Sequence, residues 1–184
     1  SAQVATAASI TTAFTSFCAN IPITFNTSSI ANATTYTWAA TGGAVVSSGQ
    51  GTLSAVIVFP NTITSSTVSV FGSNANCTGT SSSLVVTIMT TPNTPTANNA
   101  SGCSGVPIIL TGSPAGGTFS VPNPYTGSST TFTYNVANGN GCNTTSSPAT
   151  INVNSNPAPA ITGTLSFCSG SSTTLNAGAG YSSY

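Results

Sequence analysis

The stretch that decides the fold runs from Cys142 to Cys168, CNTTSSPATINVNSNPAPAITGTLSFC. Ile151 and Val153 stand two positions apart, the alternation of a strand, and Pro157 and Pro159 follow them. Proline ends a strand and stiffens the chain beyond it. The stretch therefore reads as the last strand of one module, a joint, and the opening of the next. The same arrangement runs from Cys77 to Cys103. The cysteines are again 26 positions apart, Val86 and Ile88 take the places of Ile151 and Val153, and Pro92 and Pro95 mark the joint. Fixed spacing, matched alternation and a matched breaker together indicate tandem modules.

The segments that follow Cys18, Cys103 and Cys168 read CANIPITF, CSGVPIIL and CSGSSTTL, with Phe25, Leu110 and Leu175 at the same offset. Cys18, Cys103 and Cys168 thus open three modules, and Cys77 and Cys142 close the first two. This frame predicts disulfides Cys18–Cys77 and Cys103–Cys142 and leaves Cys168 without a partner in this sequence. The expected domains are 1–91, a first module with an N-terminal arm, 92–156, a shorter second module, and 157–184, the start of a third. A bridge across each small module would offset its limited core, and it implies an oxidising, extracellular compartment.

Charge sets the limits on chemistry. The 184 residues contain no Lys, Arg, Asp, Glu or His. General acid–base catalysis would have to rest on Cys or Tyr alone, and a serine nucleophile has no base beside it. No Cys-x-x-Cys pair offers a metal site, and no cation is present to neutralise phosphates. The sequence therefore predicts no enzyme, no cofactor, no metal site, no nucleic-acid partner and, lacking a long apolar run, no membrane insertion.

Thr, Val and Ile dominate where helix formers are scarce, so the fold class is all-β. Strands are expected at Ile21–Phe25, Thr34–Ala39, Ala44–Ser47, Leu53–Phe59, Thr67–Phe71 and Leu84–Met89. In the shorter module they are expected at Val106–Leu110, Gly117–Val121, Thr131–Val136 and Ala149–Val153. With part of the N-terminal segment, the first module has about seven short strands separated by Gly, Asn and Ser turns, the pattern of an immunoglobulin-like sandwich. Trp38 fits a core position in such a sandwich. Exposed, it would instead form, with Tyr36, a platform on which a sugar ring could stack. Asn-x-Ser/Thr matches at Asn26, Asn32, Asn76, Asn99 and Asn143 are expected by chance in a chain so rich in these residues.

The stretch from Tyr36 to Thr52, with Tyr36-Thr37-Trp38 and Val46-Ser47-Ser48-Gly49-Gln50-Gly51-Thr52, and the later Asn76-Cys77, resembles the PKD-like and immunoglobulin-like repeats of large secreted proteins of Bacteroidetes-type bacteria. The segment FCSGSSTTLNAGAGYSSY resembles the opening of a further such repeat. The resemblance implies tandem β-sandwich modules in a secreted, cell-surface protein: an adhesin or gliding-motility filament exported by the type IX system. It implies partners that are other modules of the same or a longer chain, secretion or surface-anchoring proteins, and surface glycans. The alternative is a carbohydrate-binding module or the accessory tail of a secreted enzyme. The N-terminal arm, held by no cysteine pair, is expected to lie across a neighbouring module.

Overall fold

Alternation of β-branched with small polar residues produces strands throughout the chain. The computed structural model describes residues 3–5, 9–164 and 166–180. Among these, the first part carries β1 (Ser16–Cys18), β2 (Pro22–Asn26), β3 (Thr35–Ala40), β4 (Val45–Ser48), β5 (Ser54–Val58), β6 (Ser65–Ser73) and β7 (Ser82–Met89). The second part carries β8 (Thr96–Ala97), β9 (Ala100–Cys103), β10 (Gly112–Ser113), β11 (Thr118–Phe119), β12 (Thr130–Phe132), β13 (Tyr134–Ala137), β14 (Asn143–Thr145) and β15 (Ala149–Asn154). The fold is all-β, and its two-sheet packing is immunoglobulin-like.

In the first unit a four-stranded sheet, β1-β7-β6-β3, packs on a three-stranded sheet, β2-β5-β4. Strand β6 shows why: Ser66, Val68 and Val70 point inward while their neighbours stay partly exposed. Ala55 and Ile57 of β5 meet them from the other sheet. Phe17, Phe25 and Phe59 form an aromatic cluster, with ring centroids 5.8 to 6.5 Å apart. Strand β1 runs parallel to β7, with Cys18 level with Met89 at the end of β7.

The second unit has shorter strands. Its sheets are β12-β15-β9, β11-β13-β14 and the pair β8-β10. Strand β9 runs parallel to β15, with Cys103 level with Asn154. Strands β12 to β15 make one long hairpin whose halves lie in different sheets. It passes from one sheet to the other at Ser146, whose N–H donates to the Tyr134 carbonyl and whose Oγ accepts from the Tyr134 N–H, both at 2.9 Å. Ile108, Leu110, Phe132, Ala149 and Ile151 form the core.

Two expectations need correction. Val106–Leu110 is no strand: Val106 closes a turn on Cys103, and Ile108 makes a single bridge to Tyr125. The side-chain amide of Asn123 occupies both backbone groups of Leu110. The N-terminal arm does not reach away from its own unit. Val4 and Ile10 are buried in the first core, and Thr11 pairs with Asn26. Two branched aliphatic side chains gain more in that core than on the surface. Of the third segment, residues 157–164 and 166–180 are described, and Thr162 pairs with Asn176. The sequence match at Tyr181–Tyr184 lies outside the described residues.

Candidate functional site

The Gly49–Thr52 loop joins β4 to β5 and folds against Trp38. Trp38 is 2% exposed. Its indole Nε1–H donates to the Thr52 carbonyl at 2.9 Å. Gln50 bonds Trp38 twice: its Oε1 accepts the Trp38 backbone N–H at 2.9 Å, and its Nε2 donates to the Trp38 carbonyl at 2.6 Å. Strand β3 is an edge strand, and an unpaired edge invites another chain. In a chain without lysines, a neutral amide closes that edge. Asn61 does the same for the backbone of Thr91, as Asn123 does for Leu110. The Tyr36–Thr52 motif is thus a structural clasp. Trp38 takes the core position, inside the sandwich, rather than the alternative exposed platform with Tyr36, whose hydroxyl accepts the Ile30 N–H at 3.3 Å.

The cysteines form the second constellation, and here the pairing inferred from spacing is overturned. The disulfide joins Cys18 to Cys142, with Cα atoms 5.7 Å apart, and Cys77 and Cys103 are free. The expected bridges Cys18–Cys77 and Cys103–Cys142 are ruled out by the strand directions. Cys18 is level with Met89 at the end of β7, whereas Cys77 precedes the start of β7 at Ser82. At ~3.3 Å per residue, β7 alone separates them by roughly 23 Å, and a disulfide needs Cα atoms within about 7 Å. Cys103 and Cys142 are held apart in the same way by the length of β15. Spacing along the chain revealed the repeating frame but not that its two cysteines sit at opposite poles of a unit.

The Cys18–Cys142 bridge fastens the tip of the second unit's β13–β14 hairpin to the end of the first sandwich. Around it, the Asn138 side-chain amide donates to the Thr90 carbonyl and Thr144 Oγ1 donates to the Pro92 carbonyl, the latter at 2.9 Å. Ala19, Ile21, Pro92, Thr94, Asn143 and Thr144 line the cleft between the units. The joint at Thr91–Pro95 is therefore held on three sides: by proline, by neutral hydrogen bonds and by a covalent bond. Periodicity along the sequence does not show these contacts, because they depend on the relative placement of two folded units.

Among the described residues no group of three or more His, Cys, Asp or Glu side chains could hold a metal ion, and no helix is long and apolar enough to cross a membrane. Residues 3–88 match the PKD-like domain family. No curated protein matches the chain. Among solved structures, the chain is similar to the FN1–FN3 domains of chicken CNTN1, at 15% identity over 88% of this chain and 71% of that one, with a TM-score of 0.39. It is also similar to the titin domains z1z2 in complex with telethonin, at 14% identity over 80% and 98%, TM-score 0.27. A third is the N-terminal Ig1-2 module of the Drosophila receptor protein tyrosine phosphatase DLAR, at 10% identity over 79% and 99%, TM-score 0.28. PKD-like and immunoglobulin-like domains are typically structural or interaction modules, generally non-catalytic and extracellular, and the disulfide accords with an oxidising location.

Proposed function

We propose that this chain is a non-catalytic segment of an extracellular cell-surface fibre or adhesin stalk, built of tandem PKD-like modules and serving adhesion or surface motility. The observation that carries the reading is the Cys18–Cys142 bridge, which ties two consecutive units across their joint. A ligand-binding domain does not need a fixed neighbour, whereas a stalk holds its reach away from a surface only if its joints resist bending. The Asn138–Thr90 and Thr144–Pro92 bonds add stiffness at the same place. Partners are other modules of the same or a longer chain, with type IX secretion and surface-anchoring proteins at its ends and surface glycans as the substratum.

Small-angle scattering of the oxidised and the reduced chain tests this. The oxidised form is expected to show one fixed separation between the two units. Reduction, or the pair Cys18→Ser with Cys142→Ser, is expected to broaden that distribution while circular dichroism stays unchanged. An oxidised chain whose units already sample a wide range of separations would overturn the stalk reading.

A further inference from the structure

The two poles that meet at the Cys18–Cys142 bridge each have a second, unbridged counterpart in the same chain. The first pole is the turn after an opening cysteine, Cys18-Ala19-Asn20-Ile21-Pro22. Its counterpart is Cys103-Ser104-Gly105-Val106-Pro107. In both, the cysteine ends a strand parallel to the last strand of its unit. The next N–H donates to the carbonyl level with the cysteine, Ala19 to Met89 and Ser104 to Asn154, each at 2.8 Å. The following residue has positive φ, 61° at Asn20 and 79° at Gly105. Val106, 54% exposed, stands at the position of Ile21, which lines the cleft and is itself 45% exposed. Ser155 and Pro157 stand one and three positions after Asn154, as Thr90 and Pro92, whose carbonyls accept the hairpin's bonds in the existing joint, stand after Met89.

The second pole is the hairpin tip that presents Cys142, and its counterpart presents Cys77. Asn138 Oδ1 accepts the N–H groups of Asn140 and Cys142, both at 3.1 Å. Asn74 Oδ1 accepts those of Asn76 and Cys77, at 3.0 and 2.9 Å. In each tip the asparagine N–H donates to the cysteine carbonyl at 2.9 Å. Each unit therefore carries one cysteine at its exit pole and one at its hairpin pole, and the observed disulfide joins exit to hairpin between successive units.

We propose that Cys103 and Cys77 are the open ends of a chain of inter-module disulfides: Cys103 pairs with the hairpin cysteine of a following module of the same kind, and Cys77 with the exit cysteine of a preceding one. This rests on the tandem-module reading above and extends it from one joint to the whole array. No bridge lies within a module, and every joint carries one. Cys168 continues the series. Thr162 pairs with Asn176 as Thr11 does with Asn26, by the same two backbone bonds and the same hydroxyl bond, and Gly170 has the positive φ of Asn20 and Gly105. Formation of each bridge removes two protons and two electrons from two thiols. A low-molecular-weight disulfide such as oxidised glutathione accepts them and becomes two thiols as the new S–S bond forms.

A second copy of this chain offers both poles and serves as the probe. The chain is reduced, then reoxidised at high concentration in a glutathione redox buffer, and mapped by non-reducing peptide analysis with isotope-labelled and unlabelled copies mixed. The expected product keeps Cys18–Cys142 within each copy and joins Cys77 of one copy to Cys103 or Cys168 of another. Cys77→Ser is expected to abolish these cross-links, as is the pair Cys103→Ser with Cys168→Ser. A Cys77–Cys103 link within one copy would overturn the proposal. So would a product dominated by like-to-like links, or thiols that all remain free. The scattering experiment reports on the stiffness of the existing joint and the peptide map on which poles pair, so failure of either reading is recognisable apart from the other.

Discussion

Asn138 occupies in its hairpin the place that Asn74 occupies in its own: each side-chain oxygen accepts the backbone N–H of the cysteine that follows, Cys142 or Cys77. An asparagine that bonds the backbone ahead of it fixes a turn. In this chain the turn holds a thiol in one orientation at the tip of a long hairpin. Asn138 also spends its amide on the Thr90 carbonyl, so one side chain both shapes the tip and docks it. Asn138→Ala is therefore expected to weaken the Cys18–Cys142 bridge. In a glutathione buffer titration the bridge should be reduced at a lower thiol concentration, and unfolding in urea should cost about 1–3 kcal/mol less. Asn74→Ala should leave the bridge where it is.

The bridge spans 124 residues of sequence, and the restriction a disulfide places on an unfolded chain grows with the length of the loop it closes. The chain-entropy model gives about 5 kcal/mol for it. A unit that unfolds alone meets nearly the same restriction because its chain stays pinned at the bridge and at the joint, so unfolding together costs less than unfolding one at a time. Calorimetry of the oxidised chain should show one transition. After reduction two are expected, the lower belonging to the second unit, whose core is smaller.

Trp38 and Gln50 test the clasp. Trp38→Ala removes the largest buried side chain of the first core, and a loss of about 3–5 kcal/mol is expected. Gln50→Ala leaves the Trp38 backbone N–H and carbonyl without their side-chain partner, for about 1–3 kcal/mol. Urea unfolding monitored by circular dichroism measures both. A Gln50→Ala protein as stable as the parent would show that water serves the β3 edge equally well.

How much of this was legible follows from what each signal encodes. Alternation located β2 through β7 to within a few residues, because each buries one face and the period is local. It missed β8, β9, β10 and β14, each of two to four residues built largely from Thr, Asn, Ser, Ala and Gly, which carry no apolar period. The expected single strand Thr131–Val136 is two strands in two sheets, broken where Ser146 bonds Tyr134. The cysteine frame was visible and its pairing was not. Repeat spacing gives equivalence between positions, whereas pairing depends on the pole to which each position is carried.

Two glycines with similar backbone angles should behave differently. Gly49 has φ 85°, and a Cβ there would overlap the Ser54 carbonyl oxygen. Gly105 has φ 79°, with nothing within 4 Å of a new Cβ. Gly105→Ala meets only the backbone penalty, about 1–2 kcal/mol. Gly49→Ala adds a clash with fixed backbone in the loop that carries Gln50, so it should lose more and should also disturb the Trp38 fluorescence maximum. Equal losses at the two sites would mean that the loop relaxes freely.

The absence of ionisable carboxylates, imidazoles, ammonium and guanidinium side chains gives this chain an unusual solution signature. Stability depends on pH only where the folded and unfolded chains bind different numbers of protons. Between about pH 5 and 7 the groups that ordinarily titrate are carboxylate and imidazole side chains, and the sequence contains neither. The urea midpoint of the oxidised protein should accordingly be flat across that window. The same reasoning covers salt: ionic screening acts on charges, and the clasp, the edges and the joint are held by neutral amides, hydroxyls and carbonyls. The midpoint should stay constant from about 0.02 to 0.3 M sodium chloride, below the concentrations at which salts act on apolar hydration. Urea itself should remain fully effective, because it solvates peptide and apolar groups alike. A midpoint that fell by more than about 1 kcal/mol equivalent between pH 7 and 5 would contradict this and would place a titrating group inside the folded protein.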